Sequence, residues 1–195
     1  TLVTNDKVLT EATMAVAREL NLAGIALAIT SSRPPRGLLM LIDPLALKIA
    51  IAGLNGGVYV NPDLSMILSH VLAPATATQA VNLILAQGWA VWVYTEEEWL
   101  ISNQDAPHVA REAWILKFDP KIVASFTDAH LTRAVKIVGV SDEFDRVAAT
   151  EKAAQDTFGT KARIARPQTY FLDVTDPTAN KGVVVATLSE RLNIS

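Results

Sequence analysis

The residues best suited to chemistry stand at the end of an apolar run. Ile25 to Ile29 carry almost no polar side chain and lead into Thr30-Ser31-Ser32-Arg33-Pro34. Hydroxyls, turn N–H groups and a fixed guanidinium suit a phosphate, which needs preorganised donors and neutralising charge. Lys181 is a second candidate, at the start of a helix expected to run to about Asn193. A cation at a helix start opposes the dipole by about 0.3–1 kcal/mol, so a counter-anion there would offset it. Asn55 and Gly56 close another apolar run, and glycine lets backbone approach a ligand closely. Each residue also has a plainer reading: Ser31 as a turn serine, Lys181 as a solvated lysine, Arg33 as half of a structural ion pair, Asn55-Gly56 as a strand-ending turn.

The remaining polar residues form no second constellation. His70, His108 and His130 lie far apart, without metal-ligand spacing, and read as surface or packing residues. Glu96-Glu97-Glu98 reads as a solvated turn, and the tryptophans with Tyr94 as core rather than a stacking platform. Asp173 and Asp176 precede Lys181 without a compelling role.

These residues need a scaffold, and composition allows one. Of 195 residues half are hydrophobic and 19% charged, which argues against disorder and for a sizeable core. The net charge of −3, with no basic run, argues against nucleic acid as the main partner. The absence of cysteine excludes disulfides and thiolate metal sites and fits a cytoplasmic location. No apolar run reaches the length of a membrane span, and the sequence specifies no oligomeric state.

Periodicity supplies the elements. Thr10 caps a helix to about Leu22, with Met14, Val16, Ala17 and Leu20 inward and Gly24 as its stop. Ile25–Thr30 is expected to be a strand buried on both faces, Leu38–Leu47 a short helix bent near Pro44, and Ile49–Leu54 a second buried strand. Strand, helix and strand in this order imply a parallel crossover. Residues 58–60 and 66–69 form a hairpin around Asn61-Pro62-Asp63. From about His70 the pattern changes to an α+β unit, with helices at 75–87, 107–114 and 142–158 and strands at 89–94, 99–101, 135–140, 161–166 and 170–174. The expected fold is α/β: a doubly wound, parallel, Rossmann-like core made of 1–69 and 171–195, interrupted by an α+β cap at 70–170.

Four stretches in order carry a family resemblance. Thr30-Ser31-Ser32-Arg33-Pro34 resembles the second motif of the haloacid dehalogenase superfamily, Cof-type branch, usually Thr or Ser followed by Gly-Arg-Pro. Thr1-Leu2 looks like the tail of its Asp-x-Asp-Gly-Thr-Leu nucleophile motif, Leu54-Asn55-Gly56-Gly57 like its Asn-Gly-Ala turn, and Asn180-Lys181-Gly182 with Ala186, Leu188 and Leu192 like its lysine motif. The resemblance implies a magnesium-dependent phosphatase for a small phosphorylated metabolite, working through an aspartyl-phosphate under an α/β cap. It assigns phosphoryl binding to the Ser31 hydroxyl and Ser32 N–H, charge neutralisation to Lys181, a substrate contact to Arg33 and the site floor to Asn55 and Gly56. The chain departs from the pattern by opening after both aspartates and stopping before Gly-Asp-x-x-Asn-Asp. It is therefore expected to be an internal piece, with the nucleophile and the magnesium ligands outside it and the Ile25–Thr30 edge left without its neighbour. A rival expectation is a non-catalytic phosphate-ligand module or scaffold with the same fold. A nucleotide-binding doubly wound domain is weaker, because no Gly-x-Gly-x-x-Gly follows a strand.

Overall fold

Thr10 accepts the Thr13 N–H and opens helix α1 (Glu11–Leu22). Gly24, at φ 73°, lets the chain turn so that the Ile25 N–H reaches the Leu20 carbonyl. The computed structural model describes residues 2–194, so Thr1 of the first motif lies outside the described residues. Ala17 is buried and Val16 faces outward at 53% exposure, which narrows the expected inward stripe.

The expected strand at Ile25–Thr30 is the main local correction. It makes a single parallel bridge, Thr30 to Ala52, fixed by Ala52 N–H to Ile29 O and Ser31 N–H to Ala52 O, both 2.9 Å. Its other edge has no backbone partner among the described residues, and Ile25, Ala26 and Ala28 are exposed. An apolar run buries two faces only when layers cover both. Here one edge and one face are open, onto a groove of about 220 Å³ lined by Ala26, Ile29, Val184 and Leu188.

The chain then makes a 3-10 turn (Pro35–Leu38) and the short helix α2 (Leu39–Ile42), which ends before Pro44. Strands β1 (Ile51–Gly53), β2 (Val58–Val60) and β3 (Met66–Ser69) form an antiparallel sheet in that order. The hairpin is as expected, but β1 pairs antiparallel with β2, and its parallel side is only the Thr30 bridge.

Helix α3 (Pro74–Ala86), β4 (Ala90–Tyr94), β5 (Trp99–Ile101), α4 (Val109–Leu116), β6 (Lys121–Ile122), α5 (Asp128–Leu131), β7 (Lys136–Val140), α6 (Phe144–Phe158), β8 (Arg163–Ala165) and β9 (Phe171–Thr175) follow. Their strands form one sheet in the order β6-β5-β4-β7-β9-β8. Because β9 lies between β7 and β8, residues 171–175, expected in the core unit, pair within this sheet. Helix α7 (Lys181–Leu192) closes the chain, with Asn180 accepting the Val183 N–H at 2.9 Å.

Alternation along the central strands divides the core in two. Val91, Val93, Ile137, Leu172 and Val174 pack under α3 and α6 with Ile84, Ala154 and Phe158. Trp92, Tyr94, Val138 and Val140 point the other way and join Leu38, Leu45, Ile51 and Leu54. The alternation along Trp89–Tyr94 predicts a half-buried strand, but residues 91–94 are buried throughout because both faces are covered. On the face of Tyr94 and Val138 sits a charged pair, Lys136 Nζ to Asp173 Oδ2 at 2.7 Å, with side chains 8% and 3% exposed.

Candidate functional site

Three consecutive residues with positive φ join the Asn55 stretch to the Ser31 stretch. Leu54, Asn55 and Gly56 have φ values of 51°, 62° and 98° in succession. For leucine such a φ costs about 1–2 kcal/mol, whereas asparagine and glycine tolerate it. Two hydrogen bonds hold the turn: Leu54 N–H to Arg33 O at 2.8 Å and Asn55 N–H to Ser31 O at 2.7 Å. Ser31 in turn accepts the Arg33 N–H on its hydroxyl at 3.2 Å.

Gly56 carries this turn to the third motif. A Cβ there would stand 2.6 Å from Val184 Cγ2 and 3.3 Å from the Asn180 carbonyl oxygen. Only a hydrogen lets the turn seat against the start of α7. The result is a cleft of about 370 Å³ lined by Asn55, Arg163, Ala179, Asn180, Lys181 and Gly182, with Ala165. Lys181 and Arg163 form no ion pair, and the N–H groups of Lys181 and Gly182 meet no acceptor, among the described residues. Among the described residues no carboxylate lines the cleft. Two cations, two amides and a helix N-terminus are a setting for an anion.

The structure thus brings together Asn55, Gly56 and Lys181, and ties Ser31 to them through one backbone hydrogen bond. Ser32 is exposed and lines no part of the cleft. Arg33 stays outside it too: its guanidinium is half-buried, its pKa lowered by burial and supported in the opposite direction by Glu112 of α4. Among the described residues its guanidinium forms no ion pair. Arg163 was not singled out in the sequence. Its alternation with buried Ile164 reveals which face it takes, but nothing in the sequence says what that face overlooks.

The other polar residues have structural partners. His130 and Thr127 cap α5 reciprocally, His108 Nε2 meets Asp142 at 2.7 Å, and His70 packs edge-on against Tyr59. Glu98 pairs with Lys121 at 2.7 Å, and Asp176 accepts the Thr178 N–H at 2.9 Å. Among the described residues no three His, Asp or Glu side chains converge. These residues therefore do not fit the magnesium site that the resemblance implies.

Burial holds the Glu112 carboxyl above its ordinary range, with Asp173 adding to the effect and Lys136, Arg33 and Arg111 opposing it. A carboxyl with a raised folded-state pKa binds more protons folded than unfolded, so its contribution is full in acid and is lost as pH rises through the folded value. Between about pH 4 and 7, wild type should therefore lose urea stability relative to Glu112→Gln. A difference that stays constant across that range would remove Glu112 as the source.

The sequence profile of the haloacid dehalogenase-like hydrolases matches residues 1–195. The chain belongs to that family. This hydrolase is 24% identical over 197 residues to the HMP-PP phosphatase of Cronobacter sakazakii, covering all of the chain and 71% of the relative. Among solved structures it resembles a haloacid dehalogenase-like hydrolase from Bacteroides thetaiotaomicron, with a TM-score of 0.88, 21% identity, and coverage of 100% of this chain and 74% of that one. A second phosphatase of the superfamily from the same organism gives 0.79, 17%, 100% and 70%. The family profile places the hydrolase in the Cof-type branch, and the structural matches give it the family's mixed α/β fold. No helix among the described residues is long and apolar enough to cross a membrane.

Proposed function

We propose that this hydrolase binds the phosphoryl group of a small phosphorylated metabolite in the cleft at the start of α7, as part of a phosphatase. The observation that carries this reading is the convergence of Asn55, Asn180 and Lys181 on one cleft with no acidic side chain among the described residues. The Lys181 ammonium and the free N–H groups of α7 would hold phosphoryl oxygens. Asn55, kept in place by Ser31, would complete the donor set. The cleft volume falls at the small end of ligand pockets, about 300–1,000 Å³, which suits a metabolite. In this reading residues 2–69 with the α7 end of the chain form a partial hydrolase core and 70–175 the cap. The cysteine-free, reducing-compatible composition supports a cytoplasmic location.

Aspartyl-phosphate chemistry and magnesium, as the resemblance implies them, require carboxylates that the cleft does not contain. The 195 residues alone should therefore leave p-nitrophenyl phosphate unhydrolysed, with or without added magnesium. Steady turnover by the purified chain would overturn this. A second reading, a phosphate-binding module without catalysis, uses the same cleft.

Calorimetric titration with inorganic phosphate tests the site shared by both readings. Lys181→Gln should weaken binding about tenfold or more, the scale of one charge-assisted hydrogen bond, whereas exposed Lys152→Gln on α6 should not. Equal affinities for all three proteins would place the anion elsewhere and end the reading.

A further inference from the structure

We propose that Arg163 makes this cleft select substrates that carry a second anionic group, a further phosphoryl or a carboxylate, beside the phosphoryl held at Lys181. The proposal rests on the phosphoryl site assigned above. Arg163 and Lys181 come from different units of the fold, β8 of the six-stranded sheet and the first residue of α7, yet line the same cleft. On β8 the buried Ile164 faces α6, so Arg163 and Ala165 share the opposite face, and both line the cleft.

The charge balance gives the cleft its preference. Neither cation has an ion-pair partner among the described residues. The acids nearest Arg163 along β9 are engaged: Asp173 with Lys136, and Asp176 with Thr178. A single phosphoryl group needs the donors at the helix start and one ammonium. A guanidinium across the cleft then remains without a counter-charge, and its planar fork matches two oxygens of a second oxyanion. The edge position of β8 suits this role, because Arg163 is exposed and its replacement disturbs no packed contact.

Titration of the chain with orthophosphate, pyrophosphate and phosphoglycolate tests the assignment. Wild type should bind pyrophosphate, phosphoglycolate or both at least about tenfold more tightly than orthophosphate. Whichever probe gains names the second group. Arg163→Gln should bring that ratio to about threefold or less, Arg163→Lys should restore part of it, and exposed Arg18→Gln should leave it at the wild-type value, separating local contact from net charge. Unchanged far-UV dichroism and Tm in each variant confirm the fold. A wild-type ratio near one, or an Arg163→Gln ratio equal to wild type, overturns the proposal. The underlying phosphoryl site fails separately, by indifference of orthophosphate binding to Lys181→Gln.

Discussion

Lys136→Met should destabilise the protein by about 3–5 kcal/mol, and Asp173→Asn by a similar amount. Lys136 and Asp173 are 6% and 2% exposed and lie side by side on β7 and β9, where Val138 faces Asp173 across the ladder. Removing the ammonium leaves a carboxylate buried beside Tyr94, whose ring centroid is 5.6 Å from the lysine nitrogen. Burial already pushes the Asp173 carboxyl up, against the pull of Lys136. Without that pull it should protonate at still higher pH. The loss in Lys136→Met should therefore be larger at neutral pH than at about pH 4, where the carboxyl is nearer neutrality. At about 2–4 °C per kcal/mol for a chain of this size, thermal unfolding should shift by roughly 10 °C. The double variant Lys136→Met/Asp173→Leu should recover most of the stability, because the cost lies in the unpaired charge. Single variants within about 1 kcal/mol of wild type by urea unfolding would show that the pair carries no such burden.

Gly56→Ala should cost about 2–4 kcal/mol and weaken phosphate binding together with stability. Its φ of 98° disfavours any side chain, and the added methyl would meet Val184 Cγ2 at 2.6 Å. The clash would push α7 away from the turn that Ser31 and Arg33 hold, and Lys181 is the first residue of that helix. Val184→Ala clears the steric part without touching the strained φ. The double variant should therefore lose less than the two single losses added, by more than about 0.5 kcal/mol. Strict additivity would mean that Gly56 and Val184 do not press on one another.

Local chemistry made much of this protein legible in its sequence. Thr10, Gly24, Gly88 and Gly159 bracket helices through caps and positive φ, and these effects depend on a few neighbouring residues. The hairpin around Asn61-Pro62-Asp63 and the strands at 99–101 and 136–140 follow from turn residues and alternation. The Ser31, Asn55 and Lys181 motifs were visible as residues with phosphate chemistry, because hydroxyl, amide and ammonium types are informative in themselves.

What the sequence could not specify is what covers each face and edge. Ile25–Thr30 reads as a buried strand, yet burial on both faces needs covering layers and a ladder needs successive backbone bonds, and here the backbone makes one bridge. Trp92 and Tyr94 read as core residues, but only the fold shows that Leu38, Ile51 and Leu54 cover their face. Arg33 and Arg163 are both arginines beside apolar residues. Only tertiary packing leaves the first half-buried outside the Lys181 cleft and sets the second on its lining. Sequence by itself determined most of the longer helices, the turns and the polar types of Ser31, Asn55 and Lys181, because these are properties of a few neighbouring residues. The tertiary structure decided which of those groups share one cleft, because convergence depends on contacts between residues far apart in the chain.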